Sequence, residues 1–290
     1  MTALSLAATE YGEGPPLAIL HGLFGSGRNW AGIAQRLAAH HRVIALDLRN
    51  HGASPWADSM DYADMAEDVR ASLRTLGHRR FALLGHSMGG KVAMVAALRH
   101  GDAVERLVVA DIAPLAYPPR HLRLVRALRG LDLAGVSRRG EADARLEPAV
   151  PDPAERAFLV QNLVFDTPRR TLPPYPVPNP PPHPLPNPPP QAGEGRVGAS
   201  AARWRLNLAA IEREMPALVR FPAMPPGTMF DGPALFVGGG RSDYLRPEHE
   251  PAIRRLFPNA RIARIPNAGH WLHAEQPQAF LDLVGPFLSG

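Results

Sequence analysis

The sequence predicts an α/β fold: a mostly parallel sheet flanked by helices, with a helical cap inserted between two strands. Three observations predict it. Apolar runs of strand length alternate with amphipathic segments of helix length, as in chains of βα units. Several of the runs close on glycine, serine, histidine or aspartate, the residues that turn a chain at a sheet edge. Between Leu115 and Gly232 the alternation stops, then resumes.

Taken in order, Leu17-Ala18-Ile19-Leu20 is the first strand and ends in a His-Gly turn. Asn29 to Ala39 then reads as a helix that gathers Trp30, Ile33 and Leu37 on one face. Val43-Ile44-Ala45-Leu46 is the next strand, and Asp61 to Leu76 the next helix. Phe81-Ala82-Leu83-Leu84 is a strand running into Ser87, followed by a helix through Lys91 to Arg99. Leu107-Val108-Val109-Ala110 closes on Asp111, Ala234-Leu235-Phe236-Val237 closes on Gly238-Gly239-Gly240, and Ala260 to Ile265 precedes His270.

These elements assign residues 1–114 and 233–290 to the core and 115–232 to the cap. Within the cap, residues 173–190 hold 12 of the 33 prolines, a density that excludes helix and central strand. That stretch, about 173–200 with its Gln191-Ala192-Gly193-Glu194-Gly195 continuation, is expected to be an extended, disordered loop with too few apolar residues for a core. A tolerated insertion explains it better than a ligand for a proline-recognising partner.

A chain of 290 residues with 45% hydrophobic content suffices for one sizeable core. The formal charge of +5 does not point to nucleic acid: Lys91 is the only lysine, and the arginines are scattered instead of forming a stripe with aromatics. With no cysteine, disulfides, thiolate metal sites and a cysteine nucleophile are excluded. Met1 to Gly14 lacks the basic and apolar regions of a signal peptide, and no apolar run reaches spanning length, so a cytoplasmic protein without a membrane span is expected.

The chemistry concentrates at Gly85-His86-Ser87-Met88-Gly89. A serine between two glycines, after a strand and before a helix, matches a turn that lifts a nucleophilic hydroxyl clear of the sheet. An aliphatic hydroxyl is a weak nucleophile at neutral pH, so Ser87 needs a base, and the base needs an orienting carboxylate. Of the 12 histidines, His270 has the best position, after the last strand, with Gly269 allowing a turn back toward the serine. Two aspartates end candidate strands, Asp111 and Asp243, and sequence position leaves both open as the acid.

Acyl transfer also needs donors aimed at the developing oxyanion. The backbone amides of Met88, at a helix N-terminus, and of Leu23, after His21-Gly22, are the candidates. The segment His21 to Gly27 lacks the endings of phosphate-binding loops, so no cofactor and no metal are expected. Arg49 and His51 read as structural residues ordering the loop after a strand.

The set His21-Gly22-Leu23-Phe24-Gly25-Ser26, Asp47 to Pro55, Gly85 to Lys91, Asp111-Ile112-Ala113-Pro114 and Gly269 to Glu275 resembles the α/β-hydrolase superfamily. Within it the set specifically resembles the small YbfF-like and mitochondrial abhydrolase-domain carboxylesterases. The resemblance implies Asp111 as the acid, with a supporting hydroxyl from Ser242, although Asp243 restores a carboxylate at the commoner superfamily position. Trp204-Arg205-Leu206-Asn207 is similar to the family's cap segment. The function expected is a serine carboxylester hydrolase, an esterase or thioesterase acting on small to medium acyl esters. Other serine-triad reactions (carbon–carbon hydrolysis, acyl transfer, perhydrolysis) and a non-catalytic ligand-binding role are the alternatives. The partner expected is a small-molecule ester.

Overall fold

The computed structural model describes residues 3–165 and 202–290, so the expected proline-rich loop at about 173–200 lies outside the described residues. Nine strands are described: β1 (Ala8–Tyr11), β2 (Pro16–Leu20), β3 (Arg42–Leu46), β4 (Phe81–His86), β5 (Val104–Ala110), β6 (Leu163–Phe165), β7 (Ala202–Trp204), β8 (Ala234–Gly239) and β9 (Ala260–Ile265). Seven of them form one sheet in the order β1-β3-β2-β4-β5-β8-β9. All neighbours in it run parallel except β1, which pairs antiparallel with β3 at the edge.

The helices follow in chain order: α1 (Ala31–Leu37), α2 (Tyr62–Thr75), α3 (Met88–Arg99), α4 (Leu122–Gly130), α5 (Arg139–Leu146), α6 (Pro153–Val160), α7 (Leu208–Leu218), α8 (Glu250–Leu256), α9 (Leu272–Glu275) and α10 (Pro277–Ser289). Side chains alternate across each strand, so the sheet buries both faces. Ala18, Leu20, Leu83, Leu107 and Val109 pack toward α2 and α3. Leu17, Ile19, Leu84, Val108 and Val237 pack toward α1 and α10. That is why the strands read as continuous apolar runs.

Local chemistry sets the element ends. Asp61 caps α2 by accepting the Ala63 N–H at 2.7 Å, and Met65, Val69 and Leu73 bury one stripe of it. The predicted helix from Asn29 is shorter than expected, because Gly27–Trp30 forms a 3₁₀ turn first. Strand β1 had no sequence signal: its four residues are exposed or half-buried and carry no apolar alternation. In the loop after β3, Arg49 Nε donates to Asp68 Oδ2 at 2.6 Å, with both side chains buried. His51 Nδ1 donates to the Arg49 carbonyl at 2.9 Å, placing both residues in a structural bracket.

Strand order positions the site. From β2 the chain steps to β3 on one side, then returns to β4 on the other, so the carboxyl ends of β2 and β4 flank a topological switch point where a crevice opens. The His21-Gly22-Leu23 turn and Ser87 leave the sheet side by side there. Between β5 and β8 the chain builds α4, α5, α6, the antiparallel pair β6 and β7, and α7. Phe165 and Ala202 are register partners, so the chain leaves and re-enters the described structure at neighbouring points. This region is tied to the rest by Asn162 Nδ2 donating to the Phe24 carbonyl at 2.8 Å and by Tyr62 Oη donating to the Leu218 carbonyl at 2.7 Å. Among the described residues no helix is long and apolar enough to cross a membrane.

Candidate active site

Ser87 joins β4 to α3 at φ 53° and ψ −118°, a backbone conformation that costs a non-glycine residue on the order of 1–3 kcal/mol. The surroundings hold it there. Its N–H donates to the Ala110 carbonyl at 3.0 Å, and its carbonyl accepts the Lys91 N–H at 3.1 Å. Gly89 is required by contact: a methyl group there would stand 2.4 Å from the Leu20 carbonyl oxygen and 2.5 Å from that of His21. The close approach of α3 to β2 sets the turn, and Ser87 stays 8% exposed at the crevice floor.

Asp111 follows β5 at φ 51°, fully buried. Its Oδ1 accepts the Gly239 N–H at 3.0 Å, and its Oδ2 accepts the His270 Nδ1–H at 2.7 Å and the Ser242 hydroxyl. With Nδ1–H donated to a carboxylate, the His270 Nε2 holds the lone pair. Asp243 does not take part. Its carboxylate is 52% exposed and engaged by Arg246 and by Arg120 at 3.7 Å, with its acidity strengthened by Arg246. Of the two aspartates left open by sequence position, only Asp111 meets His270.

The loop carrying His270 packs tightly on the sheet end. A methyl group at Gly239 would stand 2.2 Å from the Gly269 carbonyl oxygen. The His270 ring stacks on Tyr244, with centroids 4.1 Å apart, and its carbonyl accepts the His86 Nε2–H at 2.9 Å. These two contacts had no sequence signal, because Tyr244 and His86 lie far from His270 in the chain.

The turn after β2 aims an amide at the same place. His21 Nε2 accepts the Leu48 N–H at 2.9 Å, which leaves Nδ1 protonated to donate to the Gly22 carbonyl at 2.8 Å. That carbonyl also accepts the Gly25 N–H at 3.0 Å. Because the peptide is trans, pinning the Gly22 carbonyl turns the Leu23 N–H the other way, and it has no acceptor among the described residues. Met88 is the first residue of α3, so its N–H has no intrahelical acceptor. The two turns nearly touch: a methyl group at Gly22 would lie 3.3 Å from Ser87 Cβ.

The other histidines around His270 are held neutral. Burial drives the His86 pKa well below the usual value, and His270 and His273 add to the shift. Burial lowers His273, stacked on Trp30 at 3.9 Å, to about 3 and His121 to about 4. A proton placed on His270 therefore meets the Asp111 carboxylate and no competing imidazolium. Ser87 and His270 line one cavity together with Leu23, Trp30, His121 and Phe158. Among the described residues no group of three or more His, Asp or Glu side chains is placed to hold a metal ion.

Comparison with known proteins places the fold in a family. The family model described as alpha/beta hydrolase fold matches residues 15–277. The chain is 36% identical over 283 residues to the mouse (Mus musculus) sn-1-specific diacylglycerol lipase ABHD11, covering 95% of this chain and 81% of that protein. It is 30% identical to esterase YbfF of Escherichia coli K12, covering 94% and 93%. Among solved structures, a marine microorganism esterase superposes with a TM-score of 0.83 at 34% identity, covering 98% of this chain and 100% of that one. The chain belongs to the alpha/beta hydrolase fold family.

Proposed function

We propose that this ester hydrolase cleaves small to medium acyl esters through an acyl-enzyme on Ser87, beneath a cap formed by the described residues of the stretch 115–232. His270 Nε2 takes the Ser87 proton as the hydroxyl attacks the ester carbonyl. The Leu23 and Met88 amides receive the charge that develops on the carbonyl oxygen. His270 then protonates the departing alcohol, and water attacks the acyl-enzyme by the same route in reverse. Asp111 holds the imidazole in the tautomer with Nε2 free and balances the imidazolium charge, while Ser242 and Gly239 fix the carboxylate.

The observation that carries this reading is the 2.7 Å bond from His270 Nδ1 to the buried Asp111 carboxylate, on a histidine that shares its cavity with the strained Ser87. Labelling with a fluorophosphonate and turnover of p-nitrophenyl butyrate test it. Ser87→Ala is expected to abolish labelling and lower kcat by at least about 10⁴-fold, since the nucleophile and its base act as a unit. Labelling retained in the variant would place the nucleophile elsewhere.

A further inference from the structure

Two cavities lie over Ser87. One has His270, Trp271 and Phe158 on its wall; the other is bounded by Met88, Ile112, Met215, Leu218 and Lys91. Three residues line both: Leu23, Ser87 and His121. Leu23 and Ser87 belong to the reacting centre, which leaves His121 as the divider. Its backbone is fixed where α4 begins, its carbonyl accepting the Leu124 and Val125 N–H groups at 3.0 and 3.1 Å. Its ring stands edge-on to Phe24, with centroids 6.1 Å apart, and its nitrogens have no hydrogen-bond partner among the described residues.

We propose that His121 is a specificity-determining residue that separates an acyl lobe from an alcohol lobe, and that the Met88, Ile112 and Met215 cavity is the acyl lobe. The inference rests on Ser87 as nucleophile and His270 as proton donor. A carbonyl carbon bonded to Ser87 Oγ, with its oxygen toward Leu23 and Met88, has two remaining substituents. The leaving oxygen must face His270 to be protonated, and His270 lines only the first cavity. The acyl chain therefore enters the second.

That second lobe has a hard end. Lys91 Nζ donates to the carbonyls of Leu218, Val219 and Arg220 at 3.3, 3.0 and 2.9 Å, and lies 5.7 and 5.1 Å from the Tyr62 and Tyr117 ring centroids. An amine held by three backbone carbonyls closes an apolar lobe and cannot be displaced cheaply by methylenes. The substrate class is accordingly esters of short acyl chains, with the larger apolar group on the alcohol side against Phe158 and Trp271.

A p-nitrophenyl ester series from acetate to octanoate, and a series of acetates of increasing alcohol size, test the division. The wild type is expected to lose about tenfold or more in kcat/KM from butyrate to octanoate. In His121→Ala the lobes merge, so the octanoate-to-butyrate ratio is expected to rise by about tenfold, because the long tail gains a second path. Met215→Trp, which fills the acyl lobe, is expected to depress butyrate relative to acetate while leaving the order of preference along the alcohol series as in the wild type. An unchanged acyl ratio in His121→Ala, or a Met215→Trp effect confined to the alcohol series, overturns the division; if the alanine variant does not fold, the Met215→Trp result decides. Loss of fluorophosphonate labelling in the wild type would instead overturn the underlying assignment of Ser87.

Discussion

Replacing Asp111 by asparagine removes one charge and almost no volume, so its effect can be worked out atom by atom. The Gly239 N–H, 3.0 Å from Oδ1, demands an acceptor there, which forces the new amide nitrogen into the Oδ2 position. A donor then faces His270 Nδ1, 2.7 Å away, and the imidazole can keep a hydrogen bond only by moving its proton to Nε2. In that tautomer Nε2 cannot accept the Ser87 proton. Ser242 does not relieve the conflict, because its hydroxyl oxygen already accepts the Tyr244 N–H at 3.2 Å and can take the amide donor as well. The expected loss is about 10⁴-fold in kcat, equivalent to about 5 kcal/mol of transition-state stabilisation. Asp243→Asn removes only an exposed ion pair with Arg246 and Arg120, so its kcat is expected to stay within about threefold, in line with the small energies of surface pairs. Initial rates on p-nitrophenyl butyrate, with circular dichroism to confirm folding, decide between them. A large loss in Asp243→Asn together with an Asp111→Asn enzyme near wild-type activity would refute the reasoning.

Two further outcomes follow from packing and burial. Gly89→Ala drives a methyl group against the backbone of β2 and is expected to destabilise by about 1–3 kcal/mol, lowering Tm by about 2–4 °C per kcal/mol. Gly32→Ala, on α1 with nothing within 4 Å of the added carbon, is expected to raise Tm instead, and a matching loss in both would undercut the contact argument. Burial lowers the Lys91 pKa from 10.5 to about 7. Between those values the unfolded chain binds a proton that the folded chain has released, so stability from this group is penalised below about pH 7 and recovers as pH rises toward 10.5. The unfolding free energy of the wild type minus that of Lys91→Met is therefore expected to increase from pH 7 to pH 9 in urea titrations. A flat or falling difference would show that the three carbonyls at the end of α7 keep Lys91 charged throughout.

The parallel strands were legible because both faces of the sheet are covered, so each reads as an unbroken apolar run bounded by turn residues. Edge strand β1 was not: with polar, half-exposed residues on one neighbour it carries no pattern. Ser87 stood out because its turn needs glycines at fixed offsets, and that steric demand is written locally. The choice between Asp111 and Asp243 was not written locally. Ser242 and Asp243 are adjacent, yet the turn closed by the Ser242 N–H to the Gly239 carbonyl at 3.0 Å sends one side chain toward Asp111 and the other into solvent. The burial of Lys91 is not written locally either. Nothing local marks this lysine as buried, and only the return of the chain at Leu218 to Arg220 supplies its acceptors.

The residues proposed to react and those proposed to sort substrates thus obey different rules. Ser87, Leu23, Met88, Asp111 and His270 sit at strand ends or helix starts, where hydrogen-bond geometry within a few residues fixes each backbone, and their types are constrained by chemistry. His121, Met215 and the acceptors of Lys91 come from the stretch between β5 and β8, where only packing against the core gives a side chain its partner. A change of one residue there leaves every local signal intact and alters which ester fits. On the proposed mechanism and the proposed division of the cavities, this separates what can vary from what cannot: the reaction is held by positions the sheet dictates, while the choice of acyl and alcohol groups is held by positions from the stretch between β5 and β8.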